Sequence, residues 1–209
     1  MYFMQMGTPF IYKGQEIGMT NADYNSINDF DDVATIHSYK ERIGHGMSEE
    51  ESIDILKATT RDNSRTPMQW NNTDNGGFTT ASPWIKINKN YKEINVENQL
   101  NDNDSILNFY KDMIKIRKEN KTLVYGRYDI ILKYNDKIYA YTRTLNNEKY
   151  IIITNISEEN VKFDYAEEKL KYEGLLLSNY EVDEHKDMTE FILRPYEARL
   201  YKLYYEREV

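Results

Sequence analysis

The run Arg61-Asp62-Asn63-Ser64-Arg65-Thr66-Pro67-Met68-Gln69-Trp70 brings two guanidiniums, a carboxylate, two carboxamides and one of the chain's two tryptophans within ten residues. A guanidinium presents a planar fork of N–H donors that matches carboxylates and sugar hydroxyls. Trp70 adds a rigid apolar face, and Pro67 biases Thr66 away from helix. Two readings fit: a loop that grips such a ligand, or a polar turn leading into a core tryptophan.

A second polar pair, Gln15 and Glu16, follows Phe10-Ile11-Tyr12, a β-prone run bracketed by Gly7 and Gly14. That pattern predicts a buried strand of a parallel sheet. Glu16 then falls at the strand's C-terminal end, where α/β barrels and open sheets keep their ligand loops. A strand-end turn with Glu16 bonded to nearby backbone fits equally. Residues 20–35 carry Asp23, Asp29, Asp31 and Asp32. They lack the glycine and terminal glutamate of a calcium loop, so a solvated acidic loop is expected. His37, His45 and His185 are far apart and without ligand spacing, so no zinc site is expected.

The elements that must position these residues are legible in part. Met1 to Met6 has neither cap nor helix start. Thr35–Ile43 reads as a short helix, and Ser48 with Glu51 forms a capping box ahead of a helix over 48–60. That helix delivers the chain to Arg61. Asn71–Gly77 is turn-rich, and Phe78, Trp84, Ile85 and Ile87 are expected to anchor a long irregular segment. Ile106, Leu107, Phe109, Tyr110, Met113 and Ile114 make an apolar stripe at helical spacing, capped by Asp102 or Asn103. Its basic last turn, Lys115 to Lys118, suits the helix dipole.

Beyond Leu123–Gly126 the texture changes. The runs Arg127–Tyr134, Ile138–Leu145, Tyr150–Asn155, Val161–Tyr165, Gly174–Ser178, Phe191–Arg194 and Ala198–Tyr204 are β-prone and separated by polar turns. They predict an antiparallel sandwich, with a domain boundary near Gly126. The acid pairs Glu158-Glu159 and Glu167-Glu168 belong to solvated turns.

Composition narrows the function. The 209 residues are 40% hydrophobic and 30% charged, which is soluble and globular in character, with room for one large domain or two small ones. A net charge of −8 argues against nucleic acid. No apolar run spans a membrane and no secretory leader is recognisable, so no membrane partner is expected. Cysteine is absent, which fits a reducing compartment, and a cytoplasmic location is expected. The sequons at Asn71 and Asn155 read as chance matches. The 19 tyrosines suit half-buried strands and carbohydrate-facing surfaces alike.

Gly7-Thr8-Pro9-Phe10-Ile11-Tyr12-Lys13-Gly14-Gln15-Glu16-Ile17-Gly18-Met19-Thr20-Asn21 resembles the eighth barrel strand of the α-amylase family (glycoside hydrolase family 13). Arg61–Trp70, Gly77-Phe78-Thr79-Thr80, Pro83-Trp84-Ile85 and Asn90-Tyr91-Lys92-Glu93-Ile94-Asn95-Val96 resemble its oligo-1,6-glucosidase branch. Leu193-Arg194-Pro195-Tyr196-Glu197-Ala198 is similar to the last strand of that branch's C-terminal domain. The resemblance implies an α/β plus all-β chain. Residues 1–124 would be the last strand, loop and helix of a (β/α)8 TIM barrel, and residues 126–209 a small antiparallel β-sandwich domain.

The resemblance also implies an α-glucosidase that hydrolyses short α-glucosides with retention, without a cofactor. Its substrate would be a small oligosaccharide. A retaining enzyme needs two carboxyls about 5 Å apart. The family's three catalytic carboxylates lie on earlier strands, so no residue here is expected to be catalytic. The chain is therefore expected to be a C-terminal fragment, inactive alone, whose partner is the missing N-terminal barrel. The resemblance makes Arg65 a contact to the nonreducing-end glucose, and Arg61 and Glu16 further substrate-binding candidates. Where relatives carry an acidic residue after Asp32-Val33, this chain has Ala34, which leaves the aglycone preference open. Trehalose-6-phosphate hydrolase and a non-catalytic partner protein of the family are the alternatives.

Overall fold

The computed structural model describes residues 2–165, 170–182 and 190–204. The chain forms two compact units, Ile11–Tyr110, and Met1–Phe10 with Lys111–Val209. Glu167, Glu168 and His185 lie outside the described residues.

The unit Ile11–Tyr110 is built largely of 3-10 turns and loops around two packed helices, α1 (Val33–Gly44) and α2 (Glu49–Thr59). Both begin on side-chain caps. The Asp32 carboxylate accepts the Thr35 amide. Ser48 Oγ accepts the Glu51 amide while Glu51 accepts the Ser48 amide, as the capping-box spacing predicts. A small core of Ala22, Tyr24, Phe30 and Leu56 pins residues 20–31 in place, with the Tyr24 and Phe30 rings stacked at 4.6 Å. The acidic segment is thus not a simple solvated loop, since its aromatic residues are core and Asp32 is buried. A short helix, α3 (Val96–Leu100), is capped by the buried Asn95, and α4 (Ile106–Glu119) follows.

Three expectations need correction. Phe10–Tyr12 is no strand: Phe10 is 83% and Tyr12 59% exposed. A parallel strand takes its ladder bonds from neighbours, and no described strand pairs with this run. Trp84, expected as an anchor, is 70% exposed, whereas its neighbour Ile85 is buried. The residue that meets the start of α4 is Ser105, whose Oγ accepts the Asn108 amide; Asp102 instead accepts the amide of Asp104 two residues on.

The unit Met1–Phe10 with Lys111–Val209 holds α5 (Lys121–Tyr125) and seven strands: β1 (Arg127–Ile131), β2 (Ile138–Leu145), β3 (Glu148–Asn155), β4 (Val161–Asp164), β5 (Tyr172–Ser178), β6 (Glu190–Leu193) and β7 (Ala198–Leu203). All seven overlap the β-prone runs, with β3, β5 and β6 starting one or two residues earlier. They form an antiparallel sheet ordered β1-β2-β3-β7-β5 and a β4-β6 pair. Asn146, at φ 54°, makes the tight turn between β2 and β3, where Asn tolerates the left-handed region. Along β3, Ile151 and Ile153 face a core shared with Phe163 of β4 and Leu193 of β6, which makes the two sheets a sandwich. On the alternate positions, Tyr150 Oη donates to Asn120 Oδ1, and α5 packs on β2 and β3. The Arg117 guanidinium serves the chain differently from a dipole charge: it is buried and donates to the carbonyls of Phe3, Gln5, Gly7 and Leu123. Glu158 and Glu159 are exposed, as expected of solvated turns. No helix among the described residues is long and apolar enough to cross a membrane.

Candidate functional site: the Arg61–Arg65 loop

α2 ends at Thr60, whose Oγ1 caps a 3-10 turn, Arg61–Arg65, by accepting the Asp62 amide. Every polar side chain between the two arginines is occupied with the surrounding backbone. Asp62 is fully buried, and its Oδ2 accepts the amides of Asp31 and Asp32 at 2.8 and 3.0 Å. Asn63 accepts the Ala22 amide and donates to the Lys57 carbonyl. Ser64 Oγ donates to the Arg61 carbonyl. Asp62 and Asn63 therefore shape the loop through side-chain to backbone bonds.

Arg65 is held differently. Its Nη1 lies 3.7 Å from both Asp32 Oδ1 and Asp62 Oδ1, ion-pair range but beyond hydrogen-bond range, and its side chain is 43% exposed. Asp62 Oδ1 has no hydrogen-bond partner among the described residues. The Tyr24 hydroxyl, also buried without one, has its pKa pushed up to about 12 by burial, with the charges of Asp62 and Asp29 adding. Two buried carboxylates thus orient an exposed guanidinium and leave its donors free. Arg61 is exposed, and none of the described residues bonds its guanidinium.

Glu16 sits half-exposed on the 3-10 turn Gln15–Ile17, and its Oε2 is buried without a hydrogen-bond partner among the described residues. The same segment is tied to the arginine loop, because Tyr12 Oη donates to the Ser64 carbonyl at 2.9 Å and Lys13 Nζ donates to the Thr66 carbonyl. Burial lowers the Lys13 pKa, and the Glu16 charge opposes that shift. The structure thus brings the Glu16 turn up to the Arg65 loop, while Arg61 points to no described partner. Trp70 is 49% exposed, so the loop does not lead into a core tryptophan. Beyond it the buried Gln69 donates to the Ile94 carbonyl and to Asn90 Oδ1.

Sequence reasoning missed Asp32. Its signal was the run Asp32-Val33-Ala34-Thr35, an N-cap residue ahead of a helix, submerged among four aspartates of similar appearance. Asp32 and Asp62 are committed to backbone amides, and no group of three His, Cys, Asp or Glu among the described residues could hold a metal.

Over residues 1–126 the chain matches the family model described as alpha amylase, catalytic domain, and over 138–199 that described as alpha-amylase SusG C-terminal domain. It is 48% identical over 202 residues to the oligo-1,6-glucosidase of Parageobacillus thermoglucosidasius, covering 96% of this chain and 36% of that protein. It is 41% identical to the trehalose-6-phosphate hydrolase of Bacillus subtilis (strain 168), over 96% of this chain and 36% of that one. The crystal structure of Bacillus licheniformis trehalose-6-phosphate hydrolase superimposes with a TM-score of 0.89 at 40% identity, covering 97% of this chain and 37% of the other. The chain spans about a third of the length of the curated relatives it matches.

Proposed function

Because this chain belongs to the α-amylase family, we propose that it is the C-terminal part of an α-glucosidase of the oligo-1,6-glucosidase kind, cleaving short α-glucosides with retention. Residues 1–124 belong in this reading to the end of the catalytic (β/α)8 barrel, and residues 126–209 to the β domain that follows it. The carrying observation is Arg65, an exposed guanidinium braced by Asp32 and Asp62 with its donors unspent. Such a group can bridge a carboxylate and ring hydroxyls and fix a terminal glucose for attack. Arg61 and Glu16 are proposed as further contacts to the sugar.

The catalytic carboxylates come, in this reading, from the barrel strands that the relatives carry ahead of the matched region. The cysteine-free sequence suits a reducing compartment, and a cytoplasmic site of action is proposed. Similarity to trehalose-6-phosphate hydrolases supports a second reading, in which the substrate is the phosphorylated disaccharide.

The test is a chimera in which residues 1–209 replace the matching third of the Parageobacillus thermoglucosidasius oligo-1,6-glucosidase. It is expected to hydrolyse isomaltose faster than trehalose 6-phosphate. Arg65→Ala in that chimera is expected to lower kcat/KM about 100-fold, the cost of losing one charged contact to the reacting sugar. Preference for trehalose 6-phosphate would establish the second reading. A folded chimera inert towards both would refute the first two readings and leave the non-catalytic family member.

A further inference from the structure

Eight residues between Asn71 and Thr80 line an open, shallow cavity of about 660 Å³ that the Arg65 reading does not use. Its wall is a backbone strained in an unusual way. Asn75 (φ 54°, ψ 28°), Gly76 (φ 63°, ψ 22°) and Gly77 (φ 69°) are left-handed in succession. Glycine adopts this region freely, Asn less readily, and strain of this kind persists only where the surroundings enforce it. Here the enforcement is visible. The Gly76 carbonyl accepts the amides of both Trp70 (2.8 Å) and Asn71 (3.1 Å), and the Gly76 amide donates to the Thr73 carbonyl. Asn75 Nδ2 donates to the carbonyls of Thr79 and Ala81. Gly77 leaves room for the Asn71 side chain, since a Cβ there would fall 2.6 Å from its Nδ2.

The loop backbone is held by these hydrogen bonds, yet several of its side-chain polar groups are unspent. Among the described residues, the Asp74 carboxylate, Asn71 Nδ2 and the Thr80 hydroxyl have no hydrogen-bond partner. Phe78, on the same wall, is 47% exposed. An acceptor carboxylate, an amide donor, a hydroxyl and a bare aromatic face in one concave site are the groups that recognise a pyranose. The ring's C–H face lies on the aromatic, and the hydroxyls divide between carboxylate and amide. No Lys or Arg lines the cavity, and Asp74 disfavours an anion.

We propose that this cavity binds a neutral hexopyranosyl unit. It deepens the α-glucoside reading, on which it rests for the choice of sugar, by giving the chain a saccharide contact outside the Arg61–Arg65 loop. The test is binding to residues 1–209 without any hydrolysis: calorimetric titration with isomaltose and, separately, with trehalose 6-phosphate, using the wild-type chain and the exposed-residue variants Phe78→Ala, Asp74→Asn and Arg65→Ala. Saturable isomaltose binding is expected. Phe78→Ala should weaken it about tenfold and Asp74→Asn about fivefold, whether or not Arg65→Ala weakens it as well. Trehalose 6-phosphate should bind more weakly than isomaltose.

Absence of saturable binding overturns the proposal, as does binding indifferent to Phe78→Ala and Asp74→Asn. Binding lost only in Arg65→Ala also overturns it, while leaving the α-glucosidase reading intact. An inert chimera beside intact, Phe78-dependent binding removes that reading and leaves this site. Circular dichroism of each variant identical to wild type confines the effects to the site.

Discussion

Arg117 and Arg143 meet at one carbonyl, and that meeting predicts the sign of their coupling. Both are buried, and neither has an ion-pair partner among the described residues. Arg143 donates to the carbonyls of Met4, Leu123, Val124 and Gly126, and Arg117 to those of Phe3, Gln5, Gly7 and Leu123. Burial lowers both pKa values, and the Arg117 charge lowers that of Arg143 further. Arg143→Met strips the side-chain donors from three carbonyls. At about 1–3 kcal/mol for each orphaned acceptor, offset by release of a buried charge, the expected loss is about 3–5 kcal/mol. Arg117→Met strips three others and should cost about 2–4 kcal/mol on the same basis. In each single variant the Leu123 carbonyl keeps one donor, and only the double variant orphans it. Relief of the mutual repulsion is likewise gained in full by either single change and cannot be gained twice. Both effects make the double variant worse than the sum, by about 1–3 kcal/mol. A mutually supporting network predicts the opposite sign, since breaking one member would make the second cheap to lose. Native-state amide exchange at Ile151–Ile153, in the centre of the sheet, measures all four stabilities, with trimethylamine N-oxide present to keep the double variant folded. A coupling of zero or of the opposite sign would refute the shared-carbonyl account.

Two further outcomes follow from single side chains. Glu197 is fully buried; burial raises its pKa, but hydrogen bonds from Arg194 and Arg199 outweigh that and hold it below the ordinary value. A depressed carboxylate contributes stability that is complete above its unfolded pKa, about 4.3, and lost as pH falls through the folded value. Glu197→Gln is therefore expected to cost about 3 kcal/mol at pH 7 and to flatten the acid limb below about pH 5, read by urea titrations across pH. Ser48→Ala removes one half of the α2 capping box and should cost about 1 kcal/mol, seen as faster amide exchange in the first turn of α2 and little change in the β-sandwich.

The β-sandwich was legible because its signals are local. Asn-rich turns, alternation and β-branched runs lie in consecutive residues, so the strand positions emerge to within a few residues. Strand order is not local. That β7 lies between β3 and β5, with irregular register around Tyr172 and Gly174, depends on which edges remain free once the β2–β3 hairpin has formed. Phe10–Tyr12 failed for the complementary reason. An apolar run becomes a strand only if a neighbour supplies its ladder, and no sequence pattern within three residues reports the neighbour. Asp102 failed because Ser105 stands directly before Ile106, while the Asp102 carboxylate closes a local turn of its own.

The site was legible in its cation and illegible in what aims it. A guanidinium between Ser64 and Thr66 advertises itself, but its orientation is decided by residues far upstream. Asp62 Oδ2 gathers the amides of Asp31 and Asp32, the latter 30 residues away, and so fixes the entry to α1. Asp32 is then turned so that one oxygen caps α1 and the other faces Arg65. One buried carboxylate therefore acts on Arg65 twice, through its own Oδ1 and through the placement of Asp32. A binding group is only as precise as the shell that locks it. Here that shell is a hydrogen-bonded segment of backbone, and composition does not tell apart the four aspartates of the acidic stretch. Among those four, Asp32 caps α1 and is the one that is buried, and burial is a property of the folded unit rather than of the run of letters.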